Sequence, residues 1–237
     1  NCGSTNPEMI QELVKKEKAD IGISFDGDGD RIIAVDELGN IIDGDHILAI
    51  CSSYLKDKGK LKNNTVVGTI MTNMGLDLYL GEKDINIVKT KVGDRYILEE
   101  MIKKDYVLGG EQSGHIIFLD LNTTGDGLAT GLYLLKVMKE IGKPMSQLNR
   151  LMTDFPQVLV NAKVKNELKN KYNENQEIVE KIKEVEKLFK GQGRVVIRPS
   201  GTEPLVRVMI EAKEDIGLLD IASDLAKFIE ERIGINT

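Results

Sequence analysis

Asp26, Asp28 and Asp30 alternate with Gly27 and Gly29 in the run SFDGDGDR, which closes on Arg31. Carboxylates this dense repel one another, so a folded chain holds them together when a cation offsets the charge. Hard divalent ions such as Mg²⁺ take oxygen ligands of this kind. The glycines let the backbone bend until alternate side chains converge. The competing reading of the spacing is a solvated acidic turn. An EF-hand loop is a near match, with Glu37 in its last ligand position. Arg31 stands where that loop needs glycine, however, and the flanks ADIGISF (19–25) and IIAV (32–35) have strand character rather than the periodicity of amphipathic helices. The pattern therefore reads as a strand–loop–strand cation site.

Two further loops carry chemistry. GGEQSGH (109–115) lies between a strand and the apolar run 116–119. Glu111, Ser113 and His115 on a glycine frame suit recognition of sugar hydroxyls, and an ordinary polar hairpin is equally compatible. The His115 imidazole in such a loop can serve proton transfer. RPSGTEP (198–204) is more specific. Ser200, Gly201 and Thr202 can form a concave anion nest. Arg198 adds a planar bidentate donor for phosphate, and Arg207 frames the loop from its far side. In KVGDR (91–95), Asp94 reads as a helix cap, with Arg95 able to face a ligand phosphate. His46, at the start of a helix, reads as structural.

The elements that must position these loops alternate. A helix is expected from Glu8 to about Lys18, with Ile10, Leu13 and Val14 on one face, followed by the two strands around the aspartates. Helices at 46–56, 75–80, 94–104 and 126–141 interleave with strands at 65–69, 85–89 and 106–109, the mark of α/β layers. Beyond Phe155-Pro156 the pattern changes. Strands at 158–164, 194–198 and 206–211 and helices at 174–190 and 216–233 make a small α+β unit, the first of those helices burying Ile178, Ile182, Val185 and Leu188.

Composition narrows the function classes. With 41% hydrophobic and 30% charged residues, the 237-residue chain is of the soluble globular type. A net charge of −6 argues against nucleic acid and anionic membrane as partners. No apolar run is long enough to span a bilayer, and the N-terminus lacks the pattern of a signal peptide. Cys2 and Cys51 have no framework spacing, which points to a reducing cytoplasm. The chain begins with Asn1 and enters a helix almost at once, so it reads as a piece of something longer.

Taken together and in this order, DGDGDR, GEQSGH and RPSGTEP resemble the α-D-phosphohexomutase family over essentially the whole chain. Gln112, the stretch NTTGDG (122–127) and RPSGTEPLVRVMIE fit its glucosamine-phosphate branch better than its phosphomannomutase branch. The resemblance implies an α/β fold: the end of domain two (1–40) with the metal loop, a mixed-sheet domain three (41–153) and a small α+β domain four (154–237). It implies Mg²⁺ on Asp26, Asp28 and Asp30, with Arg31 and His115 near the reacting groups. It places Glu111 and Ser113 on the sugar, and Arg198, Ser200, Gly201, Thr202 and Arg207 on a phosphate. The implied reaction interconverts hexosamine 6-phosphate and 1-phosphate through a phosphoserine enzyme and a 1,6-bisphosphate. The family's phosphoserine sits in a T-A-S-H-N-P-like loop of domain one. Ser4-Thr5-Asn6-Pro7 imitates that loop but belongs by its context to domain two, so this chain is expected to lack the missing N-terminal domains and to be inactive alone. A mutase of mannose or glucose phosphates, and a non-catalytic phosphosugar-binding protein, stay open as alternatives. Oligomeric state is not legible.

Overall fold

The segment GDHILAICSSYLKD carries a broad apolar arc of Ile47, Leu48, Ile50, Cys51, Tyr54 and Leu55, which has to be enclosed. In the computed structural model, which describes residues 2–234, it forms a helix at the centre of the first of two compact units, Asn1–Thr153. The elements of this unit are α1 (Glu8–Glu17), β1 (Ile21–Phe25), β2 (Ile32–Asp36), β3 (Ile41–Ile42), α2 (Gly44–Asp57), β4 (Thr65–Thr69), α3 (Met74–Glu82), β5 (Asn86–Thr90), α4 (Asp94–Lys104), β6 (Leu108–Gly110), β7 (Ile116–Phe118), α5 (Gly127–Ile141) and α6 (Met145–Asn149). The Asp43 carboxylate caps α2 by accepting from the Asp45 and His46 N–H groups. Ile47 to Cys51 are then buried in succession, with β3, β6, α3, α5 and α6 around them.

Two sheets flank this helix. Strands β1-β2-β3 form an antiparallel meander in which Phe25 faces Ile32, so the aspartate loop is the tip of a hairpin. The second sheet has the order β5-β4-β6-β7. Strand β4 is parallel to β5 and β6, with α3 and α4 as the crossovers, and β7 returns antiparallel. All five residues of β4 are buried, as a central parallel strand requires. The sheet is thus mixed and the fold class α/β, as the resemblance implies.

The second unit, Asp154–Thr237, is a three-stranded antiparallel sheet of β8 (Gln157–Lys163), β9 (Gly193–Pro199) and β10 (Leu205–Ala212) in the order β8-β10-β9. Helices α7 (Gln176–Leu188) and α8 (Leu218–Ile233) pack against it. Val206, Val208 and Ile210 alternate along β10 into a core shared with Ala222, Leu225 and Ile229 of α8.

The apolar faces differ from expectation at two helices. On α1 only Val14 is buried, while Leu13 is 46% exposed. On α7 the buried stripe ends on Phe189, and Leu188 is 54% exposed. At about 100° per residue, position 189 lies about 20° from Ile178 around the helix axis, whereas position 188 lies about 80° away. The five-residue α6 is not visible in the sequence pattern; its position is set by distant partners. The Ser146 N–H and hydroxyl donate to the Glu37 carboxylate, and the Asn149 amide donates to the Ile41 carbonyl. Among the described residues, no helix is long and apolar enough to cross a membrane.

Burial disfavours the charged form of Glu37, but the donors of Ser146 prevail and hold its carboxyl below the ordinary glutamate value. A depressed folded-state pKa contributes stability that is present above the unfolded value and lost as pH falls. Glu37→Gln is therefore expected to lower stability at neutral pH by about 1 kcal/mol. In urea unfolding, the difference from the unmutated chain should shrink as the solution is acidified below the glutamate range. A difference independent of pH would show that Glu37 contributes only its shape.

Candidate active site

The hairpin between β1 and β2 folds the aspartate loop back on itself. The Arg31 N–H donates to Asp26 Oδ1 at 3.1 Å, and Arg31 Nε lies 2.7 Å from Asp26 Oδ2. The Asp26 side chain is only 5% exposed, so burial works against its charge; the Arg31 N–H and guanidinium outweigh this and hold its carboxyl below the usual aspartate value. One carboxylate oxygen from each of Asp26, Asp28 and Asp30 lies within 4.8 Å of the others. Asp30 Oδ1 is buried and, among the described residues, has no hydrogen-bond donor; the nearest cationic atom, Arg31 Nε, is 3.8 Å away. A buried carboxylate oxygen without a donor is costly, and the all-oxygen cluster that Asp30 shares with Asp26 and Asp28 fits a hard cation. Glu37, the residue in the EF-hand's last position, is instead engaged with Ser146.

The hairpin of β6 and β7 is locked onto this loop. The Ile32 N–H donates to the Gly114 carbonyl at 3.1 Å, and Arg31 and His115 form a bridge that continues the pairing. Gly114 has φ +90°, and a Cβ there would sit 1.9 Å from the Ile32 carbonyl oxygen, so only glycine permits this approach. From the other side, the Gly44 N–H at the start of α2 donates to the Gln112 carbonyl. The Glu111 carboxylate accepts from the Gly93 N–H at 3.0 Å, and Ser113 is exposed. His115 is 4% exposed; its Nδ1 lies 3.0 Å from Asp30 Oδ2, and its Nε2 accepts from the Gly125 N–H. The start of α5 completes the frame, with the Gly127 N–H on the Gly29 carbonyl and the Asp126 carboxylate capping Ala129.

The sequence places Asp94 at a helix cap, but the N-cap of α4 is Gly93, and Asp94 is the first helical residue. Arg95 pairs with Glu99 one turn along and is largely exposed. His46 makes an Asp43 contact at 2.9 Å, in keeping with a structural role. The contribution of Gly93 to the Glu111 carboxylate was not legible, because it is a backbone donor 18 residues away.

The second unit holds the RPSGTEP loop between β9 and β10. Arg198 and Arg207 are direct cross-strand partners, so their side chains leave the sheet on the same face. This face is opposite the one on which Val206 and Val208 meet the helices. Ser200 is buried; its N–H donates to the Leu205 carbonyl and its hydroxyl accepts from the Glu203 N–H at 3.2 Å, which fixes the turn. Gly201 and Thr202 lie exposed at the tip.

Comparison with known proteins follows this division. The phosphoglucomutase/phosphomannomutase models match in chain order: alpha/beta/alpha domain II over residues 3–39, alpha/beta/alpha domain III over 43–155 and the C-terminal domain over 159–228. A phosphoglucosamine mutase of Thermoanaerobacter pseudethanolicus is 60% identical over 233 residues, 98% of this chain and 52% of that protein. One of Clostridium novyi is 59% identical over 232 residues, with the same shares. This chain therefore spans about half the length of the curated relatives it matches. Among solved structures, a phosphoglucomutase/phosphomannomutase family protein of Burkholderia thailandensis has a TM-score of 0.76 at 24% identity, covering 97% of this chain and 51% of its own. The N-acetylphosphoglucosamine mutase of Aspergillus fumigatus, solved with GlcNAc-6P and magnesium, has a TM-score of 0.76 at 21% identity, covering 93% and 52%. At those identities the two structures speak for the fold alone. The three domain models in sequence, and relatives at 59–60% identity along almost all of it, show that the chain belongs to the phosphoglucomutase/phosphomannomutase family, the α-D-phosphohexomutases.

Proposed function

We propose that this chain supplies the cation-binding, sugar-binding and phosphate-binding parts of a phosphoglucosamine mutase, an isomerase that interconverts glucosamine 6-phosphate and glucosamine 1-phosphate. The observation that carries the reading is the junction of two loops in one unit, the carboxylate cluster at 26–30 and the Glu111–His115 hairpin, joined through Asp30 and His115. A cation beside a sugar-binding turn is what transfer of a phosphoryl group to or from a sugar hydroxyl requires. The glucosamine preference rests on relatives named phosphoglucosamine mutase at 59–60% identity.

Asp26, Asp28 and Asp30 would hold Mg²⁺, which neutralises charge on a transferring phosphoryl group when bound. Arg31 is anchored by Asp26 yet 43% exposed, and so can bring a second positive charge to the same group. Glu111, held by Gly93, and exposed Ser113 offer an acceptor and a hydroxyl to sugar hydroxyls that look alike in the two substrate orientations. Arg198 and Arg207, with Ser200, Gly201 and Thr202, would grip the phosphate that is not reacting, and such a remote grip positions the reacting end. In the whole protein the phosphoryl group would pass from a phosphoserine to the free sugar hydroxyl. This gives a 1,6-bisphosphate, and the other phosphate then returns to the serine.

The sequence of this chain contains no T-A-S-H-N-P-like loop to carry that serine. The chain alone is therefore expected to show no mutase turnover in a coupled assay with glucosamine 6-phosphate; measurable isomerisation would overturn that division of labour. Calorimetry should detect glucosamine 6-phosphate binding to the chain, weakened about 10- to 100-fold in Arg198→Ala, the range for a lost charge-assisted phosphate contact. Equal binding by both proteins would remove Arg198 from the site. On the whole protein, comparing glucosamine, glucose and mannose 6-phosphates tests the sugar: the highest kcat/KM is expected for glucosamine. A preference for mannose or glucose phosphate would instead place the enzyme in the phosphomannomutase/phosphoglucomutase branch.

A further inference from the structure

We infer that Lys163 is a further phosphate-binding residue, so that the grip on the phosphate that is not reacting runs from the RPSGTEP turn across β10 onto β8. The inference rests on the phosphate-loop reading above and deepens it by adding a strand to that site. The strand register fixes where the side chain goes. Asn161 stands opposite Arg207, Arg207 stands opposite Arg198, and Lys163 stands opposite Leu205, where β10 leaves the turn. Side chains two positions apart on a strand leave it on the same face. Ala162 and Val164 point the other way, into the core covered by the helices. Lys163 therefore rises from the face that carries both arginines. It is diagonal to Arg207, at a separation of about 7–8 Å that a long side chain can span. The strand end is also pinned to the turn, because the Val164 N–H donates to the Pro204 carbonyl at 3.0 Å.

A lysine on an outer strand has an ordinary use, which is to keep other chains from pairing with an open edge. Here that part of the edge is already covered by the end of α8. The Lys163 N–H donates to the Glu230 carboxylate at 2.6 Å, Val164 bridges to Gly234, and the Lys165 N–H donates to the Ile233 carbonyl. The backbone is satisfied and the exposed ammonium is left over: among the described residues it has neither an ion pair nor a hydrogen bond. Its neighbours on the face do not supply a counter-charge either. The rows Asn161–Arg207–Arg198 and Lys163–Leu205 contain no acidic residue, whereas Glu211 at the other end of the face is paired with Arg194. Three cationic side chains beside one turn suit a phosphate dianion. The arginines offer planar, bidentate donors, and the lysine adds a mobile point charge.

The test is calorimetric binding of glucosamine 6-phosphate to the full chain, for the unmutated protein and for Lys163→Ala, Lys163→Arg and Arg198→Ala. Lys183→Ala, at an exposed position of α7, is the control for loss of net charge. Lys163→Ala should bind about fivefold more weakly, the upper end for an exposed ion pair. Lys163→Arg and Lys183→Ala should bind as the unmutated chain does. In 0.5 M NaCl the gap between Lys163→Ala and the unmutated chain should narrow, because salt screens an exposed ionic contact. Urea unfolding of each variant checks that it is folded. The inference is overturned if folded Lys163→Ala binds as tightly as the unmutated chain, if Lys183→Ala loses as much, or if the loss is the same at high salt. Weakened binding by Arg198→Ala beside any of those results would leave the phosphate loop standing. Absence of binding by the unmutated chain would overturn the phosphate-loop reading, and this inference with it.

Discussion

Three carboxylates with oxygens inside 4.8 Å of one another set the terms for the rest of the first unit. At an effective dielectric of about 20, each like-charged pair at that separation costs roughly 3 kcal/mol, less where Asp28 reaches solvent. A chain that keeps such a cluster must offset the repulsion locally. Asp26 leans on the Arg31 N–H and guanidinium, and Asp30 on the His115 imidazole. Arg31 is placed by the β1–β2 hairpin itself, and His115 by the backbone pairing of β2 with Gly114 and His115. The hairpin that would bind sugar is thus also part of what makes the acidic loop tolerable.

That dual use restrains the hairpin. Gly114 is pressed against the Ile32 carbonyl, the Gln112 carbonyl accepts from Gly44 at the start of α2, and Gly127 at the start of α5 donates to Gly29. Two helix starts and one strand therefore fix the Asp30 and Glu111 carboxylates in one frame. For phosphoryl transfer, where most of the catalytic effect comes from preorganised charge and position, such a frame matters more than any single contact.

The sequence discloses the parts of this arrangement whose cost is local. Alternating aspartates on glycines are expensive wherever they occur, so DGDGDR is readable without a fold, and the three carboxylates do converge. Strand β4 and helix α4 are readable at the residue level because short apolar runs and helical periodicity are properties of contiguous sequence. Illegible features depend on distant partners. His115 meets Asp30 across 85 residues, and Ser146 meets Glu37 across 109. The partners of the imidazole's two nitrogens, Asp30 and Gly125, are visible only in the fold. The extent of a buried face has the same character: α1 has the apolar pattern of a fully packed helix, yet only Val14 is enclosed among the described residues.

The second unit repeats the logic of the first with opposite sign. Along one face of β9 and β10, Arg194 stands opposite Glu211, and the pair closes at 2.6 Å with the glutamate side chain fully buried. Four residues along β9, toward the RPSGTEP turn, the corresponding row sets Arg198 opposite Arg207. Like charges directly opposite each other destabilise a sheet. This row lies beside a turn whose tip is Gly201 and Thr202. A bound phosphate would relieve that repulsion, as a bound cation would relieve the repulsion of the aspartates. In both units the sequence brings like charges together, and a phosphorylated sugar and a cation, if bound there, would offset them.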